Sequence, residues 1–152
     1  MKVVVALVPK TQEEQIVFNI HVLTDEHRAL MARVKADEQH DIIATKGEKH
    51  YRILIKGILY FESVDKKTFV YTQDDVFEVK EKLYQIAEKL AEQKFIRISK
   101  SMILNLKKVE MIYPTLSGRF EAELDNHERV TISRKYVSEL KHMLGMKGRN
   151  VD

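Results

Sequence analysis

The stretch DIIATKGEKHYRILIKGILYFESVDKKTFVYTQDDVFEV, residues 41–79, decides the fold class. It divides into short apolar, β-branched and aromatic runs at 41–45, 51–55, 58–64, 69–72 and 76–79. Turn-forming groups separate them: Lys46-Gly47, Lys56-Gly57, Asp65-Lys66-Lys67 and Gln73-Asp74-Asp75. Short runs of this composition, with turns about 8–12 residues apart, read as antiparallel strands. The strand–helix alternation that a parallel doubly wound sheet requires does not appear.

Downstream, Leu83, Ile86, Ala87, Leu90 and Ala91 recur at helical spacing and predict a helix lying on a core. Strands resume at 95–98, 109–113, 118–124 and 129–132. Residues 125–128 read as a hairpin turn in which Asn126 is expected to take positive φ. Ser133 is expected to cap a last helix whose buried stripe is Tyr136, Val137, Leu140, Met143 and Leu144, with Gly145 as its stop. Upstream, 2–8 and 15–21 read as two strands, followed by a helix capped at Thr24, with Asp25 and Glu26 in its first turn. The expected architecture is mainly β (α+β). An antiparallel β domain at 41–146 follows a small β-β-α appendage at 1–40 that packs on the domain or dimerises it, and residues 147–152 fray.

Composition narrows the function. The chain has 152 residues, 44% apolar and 32% charged, which suits a globular protein with a core rather than a disordered one. It has no cysteine, so disulfides, thiolate metal sites and a cysteine nucleophile are excluded. The apolar run 3–8 is shorter than a signal sequence or membrane span needs, and the expected location is cytoplasmic. No two of the six histidines stand at the helical spacing of a zinc pair, so no metal is expected. The five glycines stand apart, so a phosphate-cradling loop is missing, as is a Gly-x-Ser-x-Gly nucleophile turn. An enzyme, a cofactor and a small-molecule substrate are therefore not expected.

Charge is unevenly placed. Residues 1–45 carry 5 basic and 7 acidic groups, 46–93 carry 9 and 9, and 94–152 carry 12 and 7. A basic final third suits a polyanionic partner. Three polar basic loops leave apolar strands: Lys66-Lys67-Thr68, Ser99-Lys100-Ser101 and Ser133-Arg134-Lys135. Arg and Lys at loop tips are the groups that contact phosphate and read guanine. Each loop alone reads more readily as a solvated cap or turn; three in one β domain weaken that reading.

At these residues the chain resembles the LytTR family of bacterial DNA-binding domains. The resemblance rests on Ile58-Leu59-Tyr60-Phe61-Glu62-Ser63, Phe95-Ile96-Arg97-Ile98-Ser99-Lys100-Ser101, Asn105-Leu106, Gly118-Arg119-Phe120 and Ile132-Ser133-Arg134-Lys135-Tyr136, and covers about residues 42–144. It implies an elongated antiparallel β fold that inserts loops, rather than a recognition helix, into successive major grooves. It implies DNA contacts from Lys66, Lys67 and Thr68, from Lys100 with Ser99 and Ser101, and from Arg134 with Lys135. Arg97 reads as an ion-pair or sheet-face residue, Asn105 as a turn cap, and Tyr60, Phe61 and Tyr136 as core. Residues 1–40 are too few for a receiver domain, which implies the stand-alone branch of the family, often controlled by a small membrane protein. The expected partner is double-stranded DNA with paired half-sites, bound by a homodimer. The alternatives are a protein-interaction module with solvated loops and an RNA-binding domain.

Overall fold

The computed structural model describes residues 1–36 and 40–146. After helix α1 (Asp25–Ala36), five strands follow in order: β1 (Asp41–Lys46), β2 (Lys49–Leu54), β3 (Ile58–Val64), β4 (Lys67–Thr72) and β5 (Val76–Val79). Helix α2 (Leu83–Lys89) leads to β6 (Phe95–Ser99), β7 (Met102–Asn105), β8 (Val109–Pro114), β9 (Phe120–Leu124), β10 (Arg129–Ile132) and helix α3 (Arg134–Met143). A seven-stranded sheet has the order β2-β1-β5-β4-β3-β7-β6, and a three-stranded sheet the order β10-β9-β8. Every pairing is antiparallel.

The central sheet is apolar on both faces, and this fixes the layers. One face buries Phe61, Val70, Phe95 and Ile103 against Leu83, Ile86 and Leu90. The other buries Leu59, Ile96, Ile98 and Leu104 against Ala122, Leu124, Ile132 and Leu140. Adjacent Leu59 and Tyr60 share a face because the β3–β4 register shifts between Ile58 and Tyr60, and a bulge of this kind lets two neighbours point the same way. Asn105, 1% exposed, stitches the far end of the sheet: its amide donates to the Ile58 carbonyl at 2.8 Å, and its Oδ1 accepts from the Lys107 amide at 3.0 Å. Helix α3 ends at Gly145, φ 71°, where the Gly145 amide bonds the His142 carbonyl and the Met146 amide bonds that of Lys141. That double closure is the Schellman arrangement.

Two expectations are corrected, and one strand is added. Segments 2–8 and 15–21 form no strand; a two-stranded hairpin alone is marginal in water, and no sheet edge of this chain receives these. Strand β7 was not legible as one: Met102–Asn105 is extended because it pairs with β3 on one side and β6 on the other. In the β9–β10 turn the positive φ falls on His127, at 71°, not on Asn126. Asn126 shapes that turn through its side chain, accepting from the Glu128 amide at 3.1 Å. The expected frayed tail, 147–152, lies outside the described residues.

Candidate nucleic-acid interface

The first loop is the shortest possible hairpin connection. Val64 pairs with Lys67, leaving Asp65 and Lys66 as a two-residue turn at φ 50° and 66°. Positive φ at both positions matches the right-handed twist of the flanking strands, but usually recruits Asn or Gly. The Lys82 ammonium helps hold the tip by donating to the Lys66 carbonyl at 3.3 Å. Lys66 and Lys67 are exposed. Thr68 is 3% exposed and lines the floor beneath them, which leaves it little surface for a ligand.

The second loop is the β6–β7 turn at Lys100 and Ser101. Arg97 folds back over it: Nε donates to the Ser99 carbonyl at 3.1 Å and an Nη to the Lys100 carbonyl at 2.6 Å. The Ser99 hydroxyl accepts from the Ser101 amide at 3.2 Å. Ser99 and Ser101 therefore build the turn, while Lys100 projects from it exposed.

The third loop joins β10 to α3. Ser133 occupies the N-cap position, but its side chain makes no capping bond, contrary to expectation. The Ser133 backbone does the work instead, its amide donating to the Ile98 carbonyl and its carbonyl accepting from the Tyr136 amide, both at 2.9 Å. Arg134 and Lys135 are exposed in the first turn of α3. The Arg134 stem crosses Gly118, φ 74°, where a β-carbon would lie 3.0 Å from Arg134 Cδ. The Lys135 ammonium stands 5.6 Å above the Tyr136 ring.

The three loops share one edge of the protein. The Ser63 amide, beside the first loop, donates to the Ser101 carbonyl of the second at 2.8 Å. Ile98, just before the second, accepts from Ser133 of the third. A hollow between the first two is lined by Lys66, Lys82, Arg97 and Lys100 with Thr68 and Tyr84, and no carboxylate lines it. None of Lys66, Lys67, Lys82, Lys100, Arg134 and Lys135 forms an ion pair among the described residues. Cations left unneutralised along one edge sum to a positive potential that draws a polyanion. Lys82 and Tyr84 were missed in the sequence because α2 is legible only by its buried stripe. Arg97 serves the loop through its backbone carbonyls rather than through an ion pair.

An antiparallel β scaffold presenting three basic loops along one edge has the form of a nucleic-acid-binding domain. Residues 48–145 match the model of the LytTr DNA-binding domain, and the chain belongs to that family. Among solved structures it is similar to the LytTr DNA-binding domain of a Bacillus cereus protein described as a methyl-accepting/DNA response regulator. That match has a TM-score of 0.68 and 28% identity, and covers 71% of this chain and 99% of that one. The sensory transduction protein LytT of Bacillus subtilis is 28% identical over 106 residues, 70% of this chain but 44% of that protein, so the chain matches less than half the length of this relative. A Staphylococcus aureus protein described as an HTH-type transcriptional regulator is 25% identical over 147 residues, 96% of this chain and 99% of that one. Among the described residues strands separate the three α-helices. The helix-turn-helix of that description has no counterpart among the described residues.

Proposed function

We propose that this chain is a sequence-specific transcriptional regulator that reads double-stranded DNA in the cytoplasm, setting its three basic loops into successive major grooves. The observation that carries this reading is the pair of backbone bonds, Ser63 to Ser101 and Ser133 to Ile98, that align the loops along one edge. Arg134 has the role of base reader, because a guanidinium can fork onto guanine O6 and N7. Lys66, Lys67 and Lys135 pair with phosphates, and Lys100 reaches into the groove between them. Arg97, Ser99 and Ser101 position Lys100.

Few cations per protomer give little discrimination against genomic competitor sites, so the working form is a homodimer on two half-sites whose spacing follows the helical turn. An RNA reading needs several exposed aromatic platforms; Tyr60 and Phe61 are 7% and 1% exposed, which leaves Tyr84, 62% exposed, as the one aromatic ring bared at the basic hollow among the described residues. The test is selection of bound sites from a random duplex pool, with the same sequences offered as single strands. Enrichment of a paired duplex motif supports the reading; equal retention of single strands, or no enrichment, contradicts it.

A further inference from the structure

Of the 21 large apolar side chains exposed among the described residues, 11 lie within residues 1–23. Val3, Val5 and Leu7 are 87%, 81% and 95% exposed, and Val4, of opposite strand parity, is 73% exposed. Ile16 and Val17, again of opposite parity, are 67% and 62% exposed. The first segment has no covered face, and in the second only Phe18 is half-buried, beside Met31 and Val34 of α1. Their backbone is equally bare, since the only backbone–backbone bond described within 1–23 is that of the Gln12 amide to the Pro9 carbonyl at 2.9 Å. The two segments nevertheless lie side by side, lining one hollow that Leu30 of α1 borders. Continuous β-branched runs with unpaired backbone have the character of strands meant to be buried on both faces.

We propose that residues 1–23 form a dimerisation arm whose occupant is the same arm of a second copy, the apolar side chains of the two arms packing face to face. Area supports a second copy. A fully exposed Val, Leu or Ile carries roughly 60–120 Å² of apolar surface. At the exposures found, the 11 side chains amount to roughly 450–900 Å² per protomer, the scale of one partner's share of a stable interface. Charge supports it too: the arm holds Lys2, Lys10, Glu13 and Glu14, so two copies meet without net repulsion and an anionic surface finds little to hold. A self-complementary apolar face meets its copy about a two-fold axis.

The arm's place fits as well. Helix α1 rests on the turn Ala91–Gln93, which leads into the start of β6. The second basic loop leaves the other end of that strand, so joined arms keep the loops open. The arm serves the paired-half-site reading, but assembly is measurable without DNA, so either can fail alone.

The test compares the full chain with a double variant, Val4→Glu with Val17→Glu, by sedimentation equilibrium. Both positions are exposed in the single chain, so the variant should fold, with unchanged circular dichroism. The wild type should sediment as a dimer and the variant as a monomer, its dimer dissociation constant raised by about 100-fold or more, since each glutamate would bury a charge in the joint. A monomeric wild type, or a variant that still dimerises, overturns the proposal. So does a wild type that stays monomeric and sediments with phosphatidylglycerol vesicles.

Discussion

Gly118→Ala separates stability from DNA reading. At φ 74° an L-residue is strained, and a methyl group there would stand 3.0 Å from Cδ and 3.2 Å from Cγ of Arg134. Holding alanine in the left-handed region costs roughly 1–2 kcal/mol. With a urea m-value of about 1–3 kcal/mol/M, the unfolding midpoint should fall by about 0.3–2 M. Arg134 is exposed, so it swings aside at little cost to folding, but it leaves the position assigned to it in the proposed base contact. A bidentate contact discriminates by about 1–3 kcal/mol, so specific affinity should drop by roughly 5- to 150-fold. Arg134→Ala alone sets the ceiling. In the Arg134→Ala background, Gly118→Ala should cost the same stability and no further affinity, a coupling that a double-mutant cycle isolates. Fluorescence anisotropy on a selected duplex measures it. Equal affinity losses in both backgrounds would refute the link between Gly118 and Arg134.

Asn105→Ala strands the Ile58 carbonyl and the Lys107 amide, and should cost about 2–5 kcal/mol in chemical denaturation; a loss below about 1 kcal/mol would contradict the stitch. Ser133→Ala, removing no capping bond, should cost less than the roughly 0.5 kcal/mol at the lower limit for a true cap. Burial, with a hydrogen bond from each phenol to a carboxylate, pushes Tyr60 and Tyr71 above 10.0. The unfolded chain ionises these phenols first. Their contribution is therefore fully present below about pH 10 and lost as pH rises further. Tyr60→Phe should flatten that alkaline decline, and in a spectrophotometric titration two of the six tyrosines should ionise after the rest. Salt titration of duplex binding should give a log–log slope no steeper than about −5.4 per protomer if Lys66, Lys67, Lys82, Lys100, Arg134 and Lys135 all met phosphates, and shallower as each reads a base instead.

Most strands were legible because their information is local. Val, Ile and Tyr runs between Lys46-Gly47, Lys56-Gly57 and Asp65-Lys66 mark them wherever they pair. Asn105 was legible as a cap because its side chain acts on a residue two places on. Strand β7 was not, since Met102–Asn105 is a strand only by virtue of Tyr60 and Phe61 opposite it. The segments at 2–8 and 15–21 fail in the reverse sense: they have strand composition but no partner edge among the described residues. The basic residues of the three loops stood out by type, whereas the alignment of the loops rests on bonds between residues 38 and 35 positions apart, Ser63 with Ser101 and Ile98 with Ser133. Gly118 was visible in the sequence, but its role as the platform under Arg134 comes from packing.

The most direct test of the central claim is the base preference of Arg134→Ala on a duplex selected by the wild-type protein. The account predicts a folded variant that still binds duplex DNA in a salt-dependent way, loses about 1–3 kcal/mol of specific affinity, and no longer distinguishes bases at one position of each half-site. A folded variant with the affinity and base preference of the wild type at every position would contradict the reading of DNA by this edge.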